Sequence, residues 1–197
     1  MRYFILFLIS VLFFQCERKT YSEIGDDYFS RGKYYKAIDL YNKYLKLHPK
    51  DVKTIYNKAR AYEELKKYND AFILFKQALE LDSDDVHILL SIAKQFYRMD
   101  NFDKSAFYAK RAVDNNTEYA LSYYWLGRAL HQQGKIKLAI RSYSSSIRLD
   151  AKHYEVYLYR GAAYKYLRED NSACKDFRVA AKFKIHGATG AFKKYCQ

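Results

Sequence analysis

The residues of this 197-residue chain that could carry chemistry are few and scattered. His48, His153 and His186 stand apart from one another, and His87 and His131 lack a second ligand at metal-binding spacing. No phosphate loop, dinucleotide-type glycine pattern or HExxH run is present. The carboxylate pairs Glu63–Glu64 and Asp84–Asp85 read as solvated helix ends. The sequence therefore points away from an enzyme and predicts neither a metal nor a cofactor. What remains is non-covalent. Arg60, Lys94 and Arg128 recur at an interval of 34 residues, with Tyr56, Leu90 and Tyr124 four places before them and Glu63, Tyr97 and His131 three places after. Guanidinium groups take carboxylates in bidentate fashion, and tyrosines give stiff contact area. Such columns would bind a segment that is both acidic and apolar. In a chain of formal charge +13 they would equally suit a solvated helix face.

The interval of those cations belongs to the whole chain. From Arg18 the sequence divides without gaps into 18–51, 52–85, 86–119, 120–153 and 154–187. The eighth place of each unit is small: Gly25, Ala59, Ala93, Gly127 and Gly161. The twentieth is Ala37, Ala71, Ser105, Ala139 and Ala173, and the twenty-fourth is Tyr41, Phe75, Ala109, Tyr143 and Phe177. Ala71, Leu74, Phe75, Ala78 and Leu79 form a helical stripe. Small residues let two helices approach closely, and large ones fill the space beside them. Gly32 and Gly134 share the fifteenth place, where a turn between two helices calls for positive φ. The third unit departs from the pattern, with Ser105 and Ala109 where alanine and an aromatic are expected, leaving Phe107 or Tyr108 to fill the gap.

This pattern resembles the tetratricopeptide-repeat (TPR) family. The resemblance implies an all-α fold, a right-handed solenoid of five helix-turn-helix repeats over residues 18–187. Residues 188–197 are predicted to form a capping helix with an apolar stripe of Ala191, Phe192 and Tyr195. In that family the first helices line a concave groove, reached by places two, five, nine and twelve. The implied partner-binding residues are Tyr56, Arg60, Leu90, Lys94, Tyr97, Tyr124, Arg128 and His131. The chaperone-binding members hold a terminal carboxylate with a clamp whose places here are Ser22, Asp26, Asn57, His87 and Ser91. Only Asn57 matches, so that role is disfavoured.

Ahead of the repeats, Tyr3–Phe14 is an apolar run interrupted by Ser10 alone and followed by Gln15 and Cys16. It is short against the roughly 20 residues of a membrane span. The arrangement resembles a bacterial lipoprotein signal, which implies a signal peptide at 1–15 and a mature chain starting at a lipidated Cys16. An uncleaved signal anchor and an ordinary secretory signal are the alternatives. The expected location is the cell envelope, on a membrane and facing the periplasm or exterior, or else secreted. In an oxidising compartment Cys174 and Cys196 form either a disulfide or two buried free thiols.

The leading functional expectation is a scaffold for protein partners with acidic or amphipathic segments, by fold-level analogy in envelope complex assembly. A basic structural protein lying on the membrane surface is the alternative. RNA binding by a helical repeat comes third, and an export signal argues against it. If Cys16 carries the anchor, mass spectrometry of the mature N-terminus is expected to find an acylated cysteine as the first residue. Each buried acyl CH₂ contributes about 0.8 kcal/mol of membrane affinity. An unmodified Cys16 still joined to Gln15 would contradict this.

Overall fold

The structure, a computed structural model, describes residues 19–196, so the signal segment and Cys16 lie outside it. Eleven helices and no strand occur among the described residues. Unit one holds α1 (Tyr21–Ser30) and α2 (Tyr34–Leu47), and unit two holds α3 (Val52–Glu64) and α4 (Tyr68–Leu81). Unit three holds α5 (Val86–Arg98) and α6 (Phe102–Asn115), and unit four holds α7 (Ala120–Gln132) and α8 (Ile136–Leu149). Unit five holds α9 (Tyr154–Tyr166) and α10 (Asp170–Lys182), and α11 (Ala188–Cys196) follows. The expected all-helical solenoid is the architecture observed. No helix among the described residues is long and apolar enough to cross a membrane.

Local chemistry fixes where the helices begin and end. Thr20 caps α1 through a reciprocal bond pair with Glu23, while Asp51 and Asp85 cap α3 and α5. The turn inside every unit is closed the same way. The amides of Lys33, Lys67, Asn101, Lys135 and Glu169 donate to carbonyls five residues back, at 2.9–3.0 Å. This closure needs positive φ at the fifteenth place. Gly32 and Gly134 supply it freely, whereas Lys66, Asp100 and Arg168 adopt it at φ 55–62° despite their side chains.

The small-and-large pattern acts as one contact repeated along the chain. A Cβ on Gly25 would stand 2.5 Å from the Tyr41 ring, one on Gly127 2.6 Å from Tyr143, and one on Gly161 2.8 Å from Phe177. In unit three Ala93 and Ala109 are both fully buried. The aromatic has moved one place, to Tyr108, which stacks on Phe96 at 5.5 Å and remains partly exposed. Contacts join α1 to α3, α5 to α7 and α7 to α9, whereas no two second helices meet comparably. The first helices therefore line the inside of the curve.

At the C-terminal end, Arg160 of α9 donates twice to Asp176 of α10, at 2.8 Å each, and once to Ser144 of α8. Burial works against the Arg160 charge, but its bonds to Asp176 and that carboxylate's charge hold its pKa above the usual value. Cys174 and Cys196 are joined as a disulfide, with Cα atoms 5.5 Å apart, tying α11 to α10. The cap seats its expected stripe only in part, with Ala191 and Phe192 half-buried and Tyr195 6.1 Å from the Phe177 ring. Ala188 is its buried residue, while Tyr195 is 40% exposed.

Two substitutions test this packing with opposite signs. Ala is the better helix former by about 1 kcal/mol. A Gly127→Ala methyl must nevertheless displace the fully buried Tyr143 ring, and overpacking of that kind costs about 1–3 kcal/mol. Urea unfolding is expected to show net destabilisation. The Ser105 hydroxyl is buried without a partner among the described residues, so Ser105→Ala is expected to stabilise by about 1 kcal/mol.

Candidate functional site

The cations of the ninth place lie on first helices, and each reaches the twelfth place of the preceding unit. Arg60 lies over the Phe29 ring at 4.9 Å. Lys94 pairs with Glu63 at 3.3 Å. Arg128 donates to the Tyr97 hydroxyl at 3.1 Å and lies 4.8 Å from that ring's centre. The operative spacing is thus 31 residues, one repeat less one helical turn, and the three cations tie consecutive units together. Their charges have different fates. Glu63 also accepts from Arg98 at 2.7 Å, so Lys94 shares one carboxylate with a second, closer cation and the three groups together keep one net positive charge. Arg60 is solvent-exposed. Arg128 is half-buried, and no carboxylate among the described residues lies within ion-pair distance of it.

In place of an anion, Arg128 has an aromatic cage. It donates to the Tyr124 hydroxyl at 2.7 Å, stands 4.0 Å from the centre of the Tyr159 ring, and lies 5.6 Å from those of Tyr124 and Trp125. Burial opposes its charge, but the partial negative charges of the Tyr124 and Tyr97 oxygens offset this, and the guanidinium stays protonated. Burial raises the pKa values of Tyr124 and Tyr159, so both hydroxyls keep their protons. Tyr97 accepts from Arg128 and also from Gln132 at 3.2 Å, which leaves its own O–H free to donate outward. Burial and then the Arg128 charge lower the pKa of His131, which is therefore neutral at pH 7. The result is a positive wall whose Tyr124 and Tyr159 hydroxyls feel the Glu155 carboxylate, while Arg128 itself has no carboxylate within ion-pair distance among the described residues.

The structure separates the sequence-predicted residues. Arg128, Tyr97 and His131 lie together on this wall. Leu90 and Tyr124 belong to the core, 5% and 4% exposed, and offer a partner almost no surface. Tyr56 is half-buried against Phe75 at 5.7 Å. The fifth place thus serves packing more than contact, with Tyr56 against Phe75 of α4 and Tyr124 against Tyr159 of α9. Sequence reasoning missed the sixth place, which contributes Trp125 and Tyr159. The chain's one tryptophan lying three residues before Arg128 was the available signal. Asn57 is already engaged, donating to Asp26 at 2.9 Å, so the one clamp-like residue serves an internal carboxylate. Among the described residues no cluster of His, Cys, Asp and Glu is arranged to hold a metal ion.

Two family models match the chain, a tetratricopeptide repeat over residues 16–84 and a TPR repeat over residues 127–167, together more than half its length. No curated protein sequence matches it. Among solved structures it is similar to MamA, at 27% identity and TM-score 0.72, covering 87% of this chain and 98% of that one. It is also similar to YrrB, a TPR protein with an unusual peptide-binding site, at 19% identity and TM-score 0.73, covering 88% and 90%. PilF of Pseudomonas aeruginosa shares 19% identity with a TM-score of 0.75, covering 89% and 86%. The last two show likeness of fold alone.

The cage makes Arg128 a packing residue as well as a surface charge. Arg128→Gln is expected to destabilise the fold by about 1–3 kcal/mol, through lost cation–π contact and two lost hydrogen bonds. Arg60→Gln, at an exposed site, is expected to stay within about 0.5 kcal/mol. NMR titration of Arg128→Gln is expected to show a higher His131 pKa, because one of the two influences lowering it is gone.

Proposed function

We propose that this chain, which belongs to the tetratricopeptide-repeat family, binds a protein partner along its concave face and takes a partner carboxylate at Arg128. TPR proteins are generally non-enzymatic scaffolds for protein–protein contact, and that coarse role follows from the family. The finer reading rests on one observation, a half-buried guanidinium held by tyrosine hydroxyls and ring faces with no carboxylate beside it. A partner's Asp or Glu there would gain charge-assisted bonds from Arg128 and the free Tyr97 proton. Arg60 offers a second, exposed cation two units away, and between them Lys94 is already held by Glu63, a carboxylate it shares with Arg98. The partner segment is thus acidic at two separated points and apolar between them. Our reading places the scaffold on the outer side of a cell membrane, tethered through Cys16, in the assembly of an envelope complex. The apolar run before that cysteine supports the tether.

The test is quantitative capture of partners from the source cell envelope by the full chain in detergent, with cross-linking. Wild type is compared with Arg60→Glu/Arg128→Gln under conditions where circular dichroism shows the variant folded. The variant is expected to retain at most about a tenth of the captured partner, equivalent to 1.4 kcal/mol. Wild-type capture is expected to weaken as salt rises through the range where screening acts. Undiminished capture by a folded variant would place the interaction elsewhere.

A further inference from the structure

The outer face carries a second feature that the groove reading does not use. Between α4 and α6, over α5, lies an open cleft of about 530 Å³. It sits at the junction of units two and three, where α4 and α5 have the sparsest contact of any two helices consecutive in the chain. Three rings form its apolar lining. Phe72 meets Phe96 edge-on at 5.2 Å, and Phe96 stacks on Tyr108 at 5.5 Å. Phe107, 58% exposed and edge-on to Tyr108, extends this apolar surface outward. The degenerate third unit is the cause, since the ring absent from Ala109 reappears one place earlier in the wall of the cleft.

The rim is basic. Lys76 stands 5.8 Å from the Phe72 ring centre, Lys104 5.2 Å from Phe96, and Arg111 6.0 Å from Tyr108. Neither Lys76 nor Lys104 has a carboxylate partner among the described residues, and Arg111 has only the exposed Asp84 at 3.7 Å. Glu80 is the one acidic residue of the lining. A volume of this order receives a few side chains. On α2 and α6 respectively, Lys43 pairs with Asp39 and Lys110 with Asp114.

We propose that this cleft is a second protein-docking site, for an acidic partner segment that lays a large apolar side chain on the Phe72–Phe96–Tyr108 rings and sets carboxylates against Lys76 and Lys104. An incoming apolar group would displace the flexible lysine stems from the ring faces, and its flanking carboxylates would hold the displaced ammonium groups at the rim.

The test is selection from a random displayed-peptide library on the full chain in detergent, followed by affinity measurement on synthetic copies of the enriched peptides. Expected are peptides with an aromatic or large aliphatic residue between carboxylates. Their affinity should fall at least tenfold with Lys76→Glu/Lys104→Glu and stay unchanged with Arg60→Glu/Arg128→Gln. The two lysines are exposed and outside the core, so the first variant should fold as wild type does. Three results would each overturn the proposal: no enrichment dependent on Lys76 and Lys104, enrichment of non-acidic peptides, or affinity lost only in the groove variant. The last would leave the concave-face reading standing. Direct binding of oligouridylate or of phosphatidylglycerol vesicles through the same lysines, where the first of these results leaves no peptide bound, would replace it in favour of those ligands.

Discussion

A side chain no larger than a methyl at the eighth place of every unit is the constraint on which this molecule rests. At Gly25, Gly127 and Gly161 the first helix lies so close to an aromatic ring of the second that even a methyl group would overlap it. That approach sets the separation of the two helices, and with it the angle at which one unit meets the next. Unit three keeps the small residue, Ala93, but has Ala109 where the other units carry the ring, and Tyr108 one place earlier stands in the wall of the outer cleft.

The same geometry decides what the basic residues do. Because first helices lie side by side with a fixed offset, a residue at the ninth place meets the twelfth place of the unit before it. The residue waiting there differs each time: Phe29, Glu63, then Tyr97. One cation therefore rests on a ring in solvent, one shares a carboxylate with Arg98, and one is drawn into a cage of aromatic groups. A buried charge without a counter-ion is costly. The tyrosine oxygens and ring faces lower that cost without removing the net charge, and this leaves Arg128 able to accept an anion.

Much of this was legible in the sequence, and the reason is periodicity. A small residue at one fixed place and a large one at another, repeated without a gap, leave little freedom in the fold. The turns were half legible. Gly32 and Gly134 announce positive φ, whereas Lys66, Asp100 and Arg168 take it only because the surrounding helices require it. The wall around Arg128 was less legible. Leu90 and Tyr124 stand at a place assigned to the groove, yet burial depends on the offset between neighbouring helices, which a one-dimensional pattern does not encode. Trp125 and Tyr159 were missed because their part in the cage comes from convergence on Arg128 across units. The displaced ring of unit three was visible as an irregularity, but which face it would open was not.

In our proposal Arg128, and not Lys94, is the groove cation that receives a carboxylate. Side-chain ¹⁵N NMR of the full chain tests it directly, following the Arg128 Nε and Lys94 Nζ signals during titration with the capped tripeptide acetyl-Glu-Leu-Glu-amide. The account requires the Arg128 signal to move in a saturable, salt-sensitive manner while the Lys94 signal, already paired with Glu63, stays in place. A Lys94 signal that moves while that of Arg128 does not would contradict it.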